Sequence, residues 1–133
     1  MHYVIIGAGP AAVAAAEKLR VLDADGQVTM IGAQAQQPYS RMAIPYFLTG
    51  KVEESGTYLR RSVDHFQNQR IEVIHGEATA IDTAGHKVIV GDGSTIDYDK
   101  LLIATGAEPI IPPVSGMDDS RVQQCWHLSL IHI

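Results

Sequence analysis

Short apolar runs separated by glycines, with one alanine-rich stretch near the start, set the pattern of this chain. His2 to Ile6 is an apolar, β-branched run that stops at Gly7, and Ala11 to Leu22 has the composition of a closely packed helix. Together they predict a strand, a tight glycine turn and a helix. Gln27 to Ile31 predicts a second strand, entered through the turn Asp23-Ala24-Asp25-Gly26, so residues 1–32 read as a βαβ unit with a parallel strand pair.

From Gln34 to about Gly56 the pattern is irregular, with Pro38 and Pro45 limiting regular structure. Thr57 to Gln69 then predicts a helix, on which Arg60 and Arg61 read as a solvated face. Arg70 to His75 predicts a strand. Glu77 to Ile81, Lys87 to Val90 and Ser94 to Tyr98 are short alternating segments, and Gly85 and Gly91-Asp92-Gly93 mark antiparallel turns between them. Leu101 to Ala104 is a continuous apolar run that fits a strand buried on both faces. Thr105-Gly106 ends it, and Pro109, Pro112 and Pro113 enforce an extended exit. The whole reads as an α/β fold: a parallel sheet with a small antiparallel β insertion.

The glycine turn carries the first chemical signal. Gly7-Ala8-Gly9-Pro10-Ala11-Ala12 fits G-x-G-x-x-[GA] between a predicted strand and a predicted helix, the context in which that pattern is informative. Gly7 permits the turn, Gly9 lets a pyrophosphate approach the backbone, and Ala12 is small enough for close helix-to-strand packing. The helix start offers free N–H groups and a positive dipole end. The expected ligand is a dinucleotide. The acid that commonly holds the adenosine ribose at the end of the second strand is missing, and the stretch reads Gly32-Ala33-Gln34. Gln34 can still bond a ribose hydroxyl as a neutral donor or acceptor.

Composition narrows the function classes. At 133 residues the chain has room for one ordinary core and not for two nucleotide-binding domains. Its formal charge of -5, with the basic residues scattered, argues against nucleic acid as a partner. No apolar run approaches a membrane span and no leader precedes the first strand, so the expectation is a cytoplasmic protein. The lone Cys125 and six histidines without ligand spacing suggest neither an internal disulfide nor a metal site. No side chain stands out as a catalytic acid, base or nucleophile.

Three separated segments carry a family resemblance: Val4 to Ala12, Pro38-Tyr39-Ser40-Arg41, and Leu101 to Pro109 with its Ala104-Thr105-Gly106. In order and spacing, over residues 1 to about 127, they resemble the pyridine nucleotide-disulfide oxidoreductase superfamily, in particular its ferredoxin reductase-like and nitrite reductase-like flavoproteins. The resemblance implies a Rossmann-like FAD-binding domain, incomplete at its C-terminus. Gly7, Gly9, Pro10, Ala11 and Ala12 would line the FAD pyrophosphate, and Arg41 would reach toward the phosphates or the flavin. Ala78 would face the adenine through its backbone, and Ala104, Thr105 and Gly106 would close over the ADP portion. A guanidinium suits a pyrophosphate because it presents a planar fork of donors to a doubly charged anion.

The resemblance also implies the chemistry: NAD(P)H as electron donor, FAD as carrier, and an external acceptor such as an iron–sulfur protein. Where a related branch places its redox cysteine this chain has Met42, and a thioether cannot act as a thiolate. The implied division is a partial FAD-binding domain over residues 1–113 and, over 114–133, an exit segment toward a NAD(P)-binding domain. The last five residues do not resemble the family's continuation and are expected to be non-native. Two other functions use the same glycine turn, a single-Rossmann NAD-dependent dehydrogenase and a non-catalytic flavin-binding module.

Overall fold

A computed structural model describes residues 1–129; residues 130–133, which include four of the five expected to be non-native, lie outside the described residues. Four parallel strands form the main sheet in the order β3-β2-β1-β7, built from β1 (His2–Ile6), β2 (Gln27–Gly32), β3 (Ile71–His75) and β7 (Lys100–Ile103). A second sheet of three antiparallel strands comprises β4 (Ala78–Asp82), β5 (Lys87–Val90) and β6 (Thr95–Asp97). This is the α/β architecture with an antiparallel insertion that the apolar pattern predicts.

The core follows from the period of the strands. Ile5, Val28, Met30 and Ile71 face helix α1 (Pro10–Leu22) and pack with its Ala12, Val13 and Ala16. Val4, Ile6 and Ile31 face the opposite way and pack with Val88 of the antiparallel sheet. The central strand is therefore buried on both sides, as a parallel strand between two layers must be. Pro10 opens α1, where its missing N–H costs nothing, and Arg20 near its end holds the neighbouring chain. Arg20 donates Nε to the carbonyl of Gln69 at 2.8 Å, Nη1 to Gly26 at 2.7 Å, and Nη2 to Arg70 at 2.6 Å. The Asp23 carboxylate closes the turn into β2 by accepting from the Gly26 amide at 2.8 Å and the Tyr3 hydroxyl at 3.0 Å.

Two expectations are corrected. The predicted helix over Thr57 to Gln69 shrinks to one turn, α3 (His65–Asn68). Tyr58 is instead drawn into an antiparallel bridge with Tyr39, and the flanking amides bond across it, Ser40 to Thr57 and Leu59 to Pro38, both at 2.9 Å. Arg60 consequently lies off any helix and forks onto Glu17 of α1, with Nε at 2.6 Å from Oε1, while His65 reaches the same carboxylate at 2.8 Å. The Arg60 bond, with help from His65, holds the Glu17 carboxyl below its usual value.

β7 is likewise not buried on both faces. It is the edge strand beyond β1, and Leu102 and Ile103 are 41% and 61% exposed because no described element covers that side. An apolar hollow of about 420 Å³ remains between α1 and β7, lined in part by Leu19, Leu22, Leu101 and Leu102. No helix of the described residues is long and apolar enough to cross a membrane.

Candidate functional site

The C-terminal ends of the parallel strands converge on the glycine turn. The Gly7 amide donates to the carbonyl of Ile31 at 2.7 Å, and the Ala104 amide to the carbonyl of Ile6 at 2.8 Å, tying β1, β2 and β7 at one level. Gly7 has φ +129°, and a Cβ there would stand 2.2 Å from the Ala104 carbonyl oxygen. Only glycine satisfies both conditions. The turn and the Ala104-Thr105-Gly106 segment, nearly a hundred residues apart in sequence, are thus in backbone contact. Gly32 supports the turn from β2, where a Cβ would press on the Ala8 methyl at 2.8 Å.

Gly9 differs from these packed glycines: nothing lies within 4 Å of where its Cβ would stand. It is the N-cap of α1 without a side-chain cap, and the first helical bond runs from Val13 N to Gly9 O. The amides of Ala11 and Ala12 come before that bond, so α1 presents them with the positive end of its dipole at a point a ligand backbone can reach. An oxyanion of a dinucleotide fits this place.

Arg41 joins the site from the loop after β2. It begins a 3-10 turn (Arg41–Ala43) that runs into helix α2 (Ile44–Leu48), and its Nη1 lies 3.8 Å from where a Cβ of Gly106 would stand. Its Nε is buried with no hydrogen-bond partner among the described residues, and no carboxylate there forms an ion pair with it. A buried, charged donor left open suits an anionic ligand, which is a second feature of this chain that fits a pyrophosphate.

Ala78 opens β4 and packs on the cluster that contains Ile6 and Ile31. Gln34 stands two residues past β2, and its amide is already engaged. Its Oε1 accepts from the Tyr39 hydroxyl, and its Nε2 meets Nδ1 of His127. A glutamine amide has two N–H groups and two lone pairs, so one donor and one acceptor remain for a ribose hydroxyl. Met42 is 81% exposed beside Arg41, and Cys125 is an exposed free thiol.

Two contributors escape a reading of the sequence. Trp126 places its ring under Arg41, with the guanidinium carbon 4.9 Å from the centroid. His127 and Leu128 bring that segment in, since the Leu128 amide donates to Tyr39 Oη at 3.1 Å and Leu128 is fully buried with Tyr39 and Ile44. The presence of a single tryptophan in a polar stretch was the only available signal, and it does not reveal a partner more than eighty residues away.

Known proteins resemble this chain in sequence and fold. The chain is 32% identical over 123 residues to the NADH-dependent phenylglyoxylate dehydrogenase subunit epsilon of Aromatoleum evansii, covering 87% of this chain and 28% of that one. It is 37% identical over 106 residues to the anthranilate 1,2-dioxygenase system ferredoxin-NAD(+) reductase component of Burkholderia cepacia, covering 79% of this chain and 26% of the relative. The solved structure of an NAD-dependent persulfide reductase from A. fulgidus superimposes with a TM-score of 0.88 at 29% identity, over 99% of this chain and 26% of that one. The chain therefore spans little more than a quarter of the length of such relatives. The family model for pyridine nucleotide-disulphide oxidoreductases matches residues 1–130, and with the glycine turn, the Ala104-Thr105-Gly106 segment and Arg41 gathered at one strand end, this chain belongs to the pyridine nucleotide-disulphide oxidoreductase family.

Proposed function

We propose that residues 1–113 are the FAD-binding portion of a flavoprotein oxidoreductase, with residues 114–133 leading toward a NAD(P)-binding domain. The observation that carries the reading is the meeting of the glycine turn, the start of α1, Ala104-Thr105-Gly106 and an unpaired Arg41 in one place. Gly7 shapes the turn, while Gly9, Pro10, Ala11 and Ala12 leave backbone and helix dipole open to the pyrophosphate, and Arg41 neutralises it. Ala104, Thr105 and Gly106 cover the ADP portion, Ala78 lies against the adenine, and Gln34 offers its remaining donor and acceptor to the ribose.

Bound FAD would supply the redox chemistry, taking a hydride from NAD(P)H and passing electrons to an external acceptor. An iron–sulfur protein is the proposed acceptor, by likeness to the ferredoxin-NAD(+) reductase component, and the proposed location is cytoplasmic. This chain's part is to bind and orient the cofactor. Met42, in place of a thiol, keeps the route free of a redox-active cysteine.

The test is an absorption spectrum of the chain after loading with FAD and desalting. Retained flavin bands support the reading, and a colourless protein that is folded by circular dichroism overturns it. In a protein of the relatives' length carrying this chain, anaerobic NADH or NADPH should bleach the flavin, and a small ferredoxin should restore its colour.

A further inference from the structure

The buried side-chain groups left without hydrogen-bond partners among the described residues are two, Arg41 Nε and Trp126 Nε1. They belong to one stack, because the Arg41 guanidinium sits over the Trp126 ring at 4.9 Å. Both are donors, and neither a guanidinium nor an indole has an acceptor to offer the other. Buried donors are nearly always satisfied in native structures, so a pair of neighbouring orphans points to a group from outside the chain. That group must consist of acceptors, and the permanent charge of Arg41 favours an anion. A pyrophosphate meets both conditions, whereas ribose hydroxyls and the flavin ring mix donors with acceptors.

The position of the stack agrees with its chemistry. Arg41 Nη1 lies 3.8 Å from where a Cβ of Gly106 would stand, and the Thr105 amide lies 3.3 Å from where a Cβ of Gly7 would stand. Residues 105–106 therefore bridge the stack to the glycine turn. Trp126 is held there by its neighbours: Leu128 is fully buried and bonded to Tyr39, and His127 is bonded to Gln34.

Resting on the FAD-binding reading above, we infer that Trp126 is a further cofactor-binding residue: its indole N–H donates to the dinucleotide pyrophosphate while its ring holds the Arg41 guanidinium against the same group. A segment beyond residue 113 thereby completes the pocket.

The test compares Trp126→Phe with the unaltered chain in three titratable properties: affinity for FAD, affinity for ADP, and thermal melting without ligand. Phenylalanine keeps a smaller ring face under Arg41 and removes the donor along with part of the indole. FAD and ADP share the pyrophosphate, so both should bind about tenfold less tightly, by a similar factor. Melting without ligand should fall by less than about 5 °C, because the indole N–H has no partner to lose and only part of the ring goes. Unchanged FAD affinity overturns the inference. So does a loss confined to FAD, which would place the indole on the flavin side, and so does a drop in ligand-free melting beyond about 5 °C, which would make Trp126 a packing residue. If the unaltered chain itself retains no FAD, the broader reading fails, and the two failures are thereby told apart.

Discussion

Two arginines set the end of α1 against its beginning. Arg20, near the C-terminal end, spends its donors on the carbonyls of Gln69, Gly26 and Arg70, so its charge is absorbed by the fold. Arg41, near the N-terminal end, rests on an aromatic face and keeps Nε buried and unpaired. The same side chain thus does two jobs. A guanidinium surrounded by carbonyls staples chain segments together, and one left open beside a glycine turn waits for an anion.

Substitutions can break or sharpen that contrast. The strongest effect should come from Gly7→Ala, which drives a methyl into the Ala104 carbonyl at 2.2 Å and forces a φ of +129° on a side chain. It should lower the melting temperature by more than about 10 °C and abolish flavin retention, since it strikes the fold and the site together. Next, Arg20→Ala should cost about 2 kcal/mol in a denaturant titration by orphaning several carbonyls. FAD affinity per folded molecule should stay as it was. Arg41→Ala should do the reverse: weaken FAD binding about 10- to 100-fold with little change in ligand-free stability. An equal stability loss for both arginines would erase the distinction.

The smallest effect concerns pH. Arg60 holds the folded Glu17 carboxyl below the ordinary value of 4.5, so this pairing stabilises the protein above that pH and is lost as acid titrates the group in the folded state. Glu17→Gln should flatten the fall in stability on acidification below about pH 4.5, by less than about 1 kcal/mol because the pair is partly exposed. A steeper acid limb in the variant would contradict this.

Features encoded locally were legible in the sequence. β1, the glycine turn, α1 and β2 follow from apolar period, alanine content and a turn motif, and each lies within one or two residues of its expected bounds. The Ala104-Thr105-Gly106 motif was legible too, although its backbone contact with Gly7 was not. What the sequence concealed depends on long-range partners. The helical pattern of Thr57 to Gln69 yields to backbone bonds with Pro38 and Ser40, so Arg60 finds Glu17 rather than solvent. An apolar run such as Leu101 to Ile103 states that a strand prefers burial but not whether a neighbour is there to provide it. Gln34 reads as a ribose partner, but that Tyr39 and His127 also engage its amide is visible only in the fold.

The uncovered flank of β7 has a practical consequence. A strand with a bare edge and outward Leu102 and Ile103 is a template on which another strand can grow, whether from a second copy or from an unfolding neighbour. Handling the chain in solution is therefore a matter of concentration and time: precipitation should set in at β7 first, and Leu102→Lys should delay it.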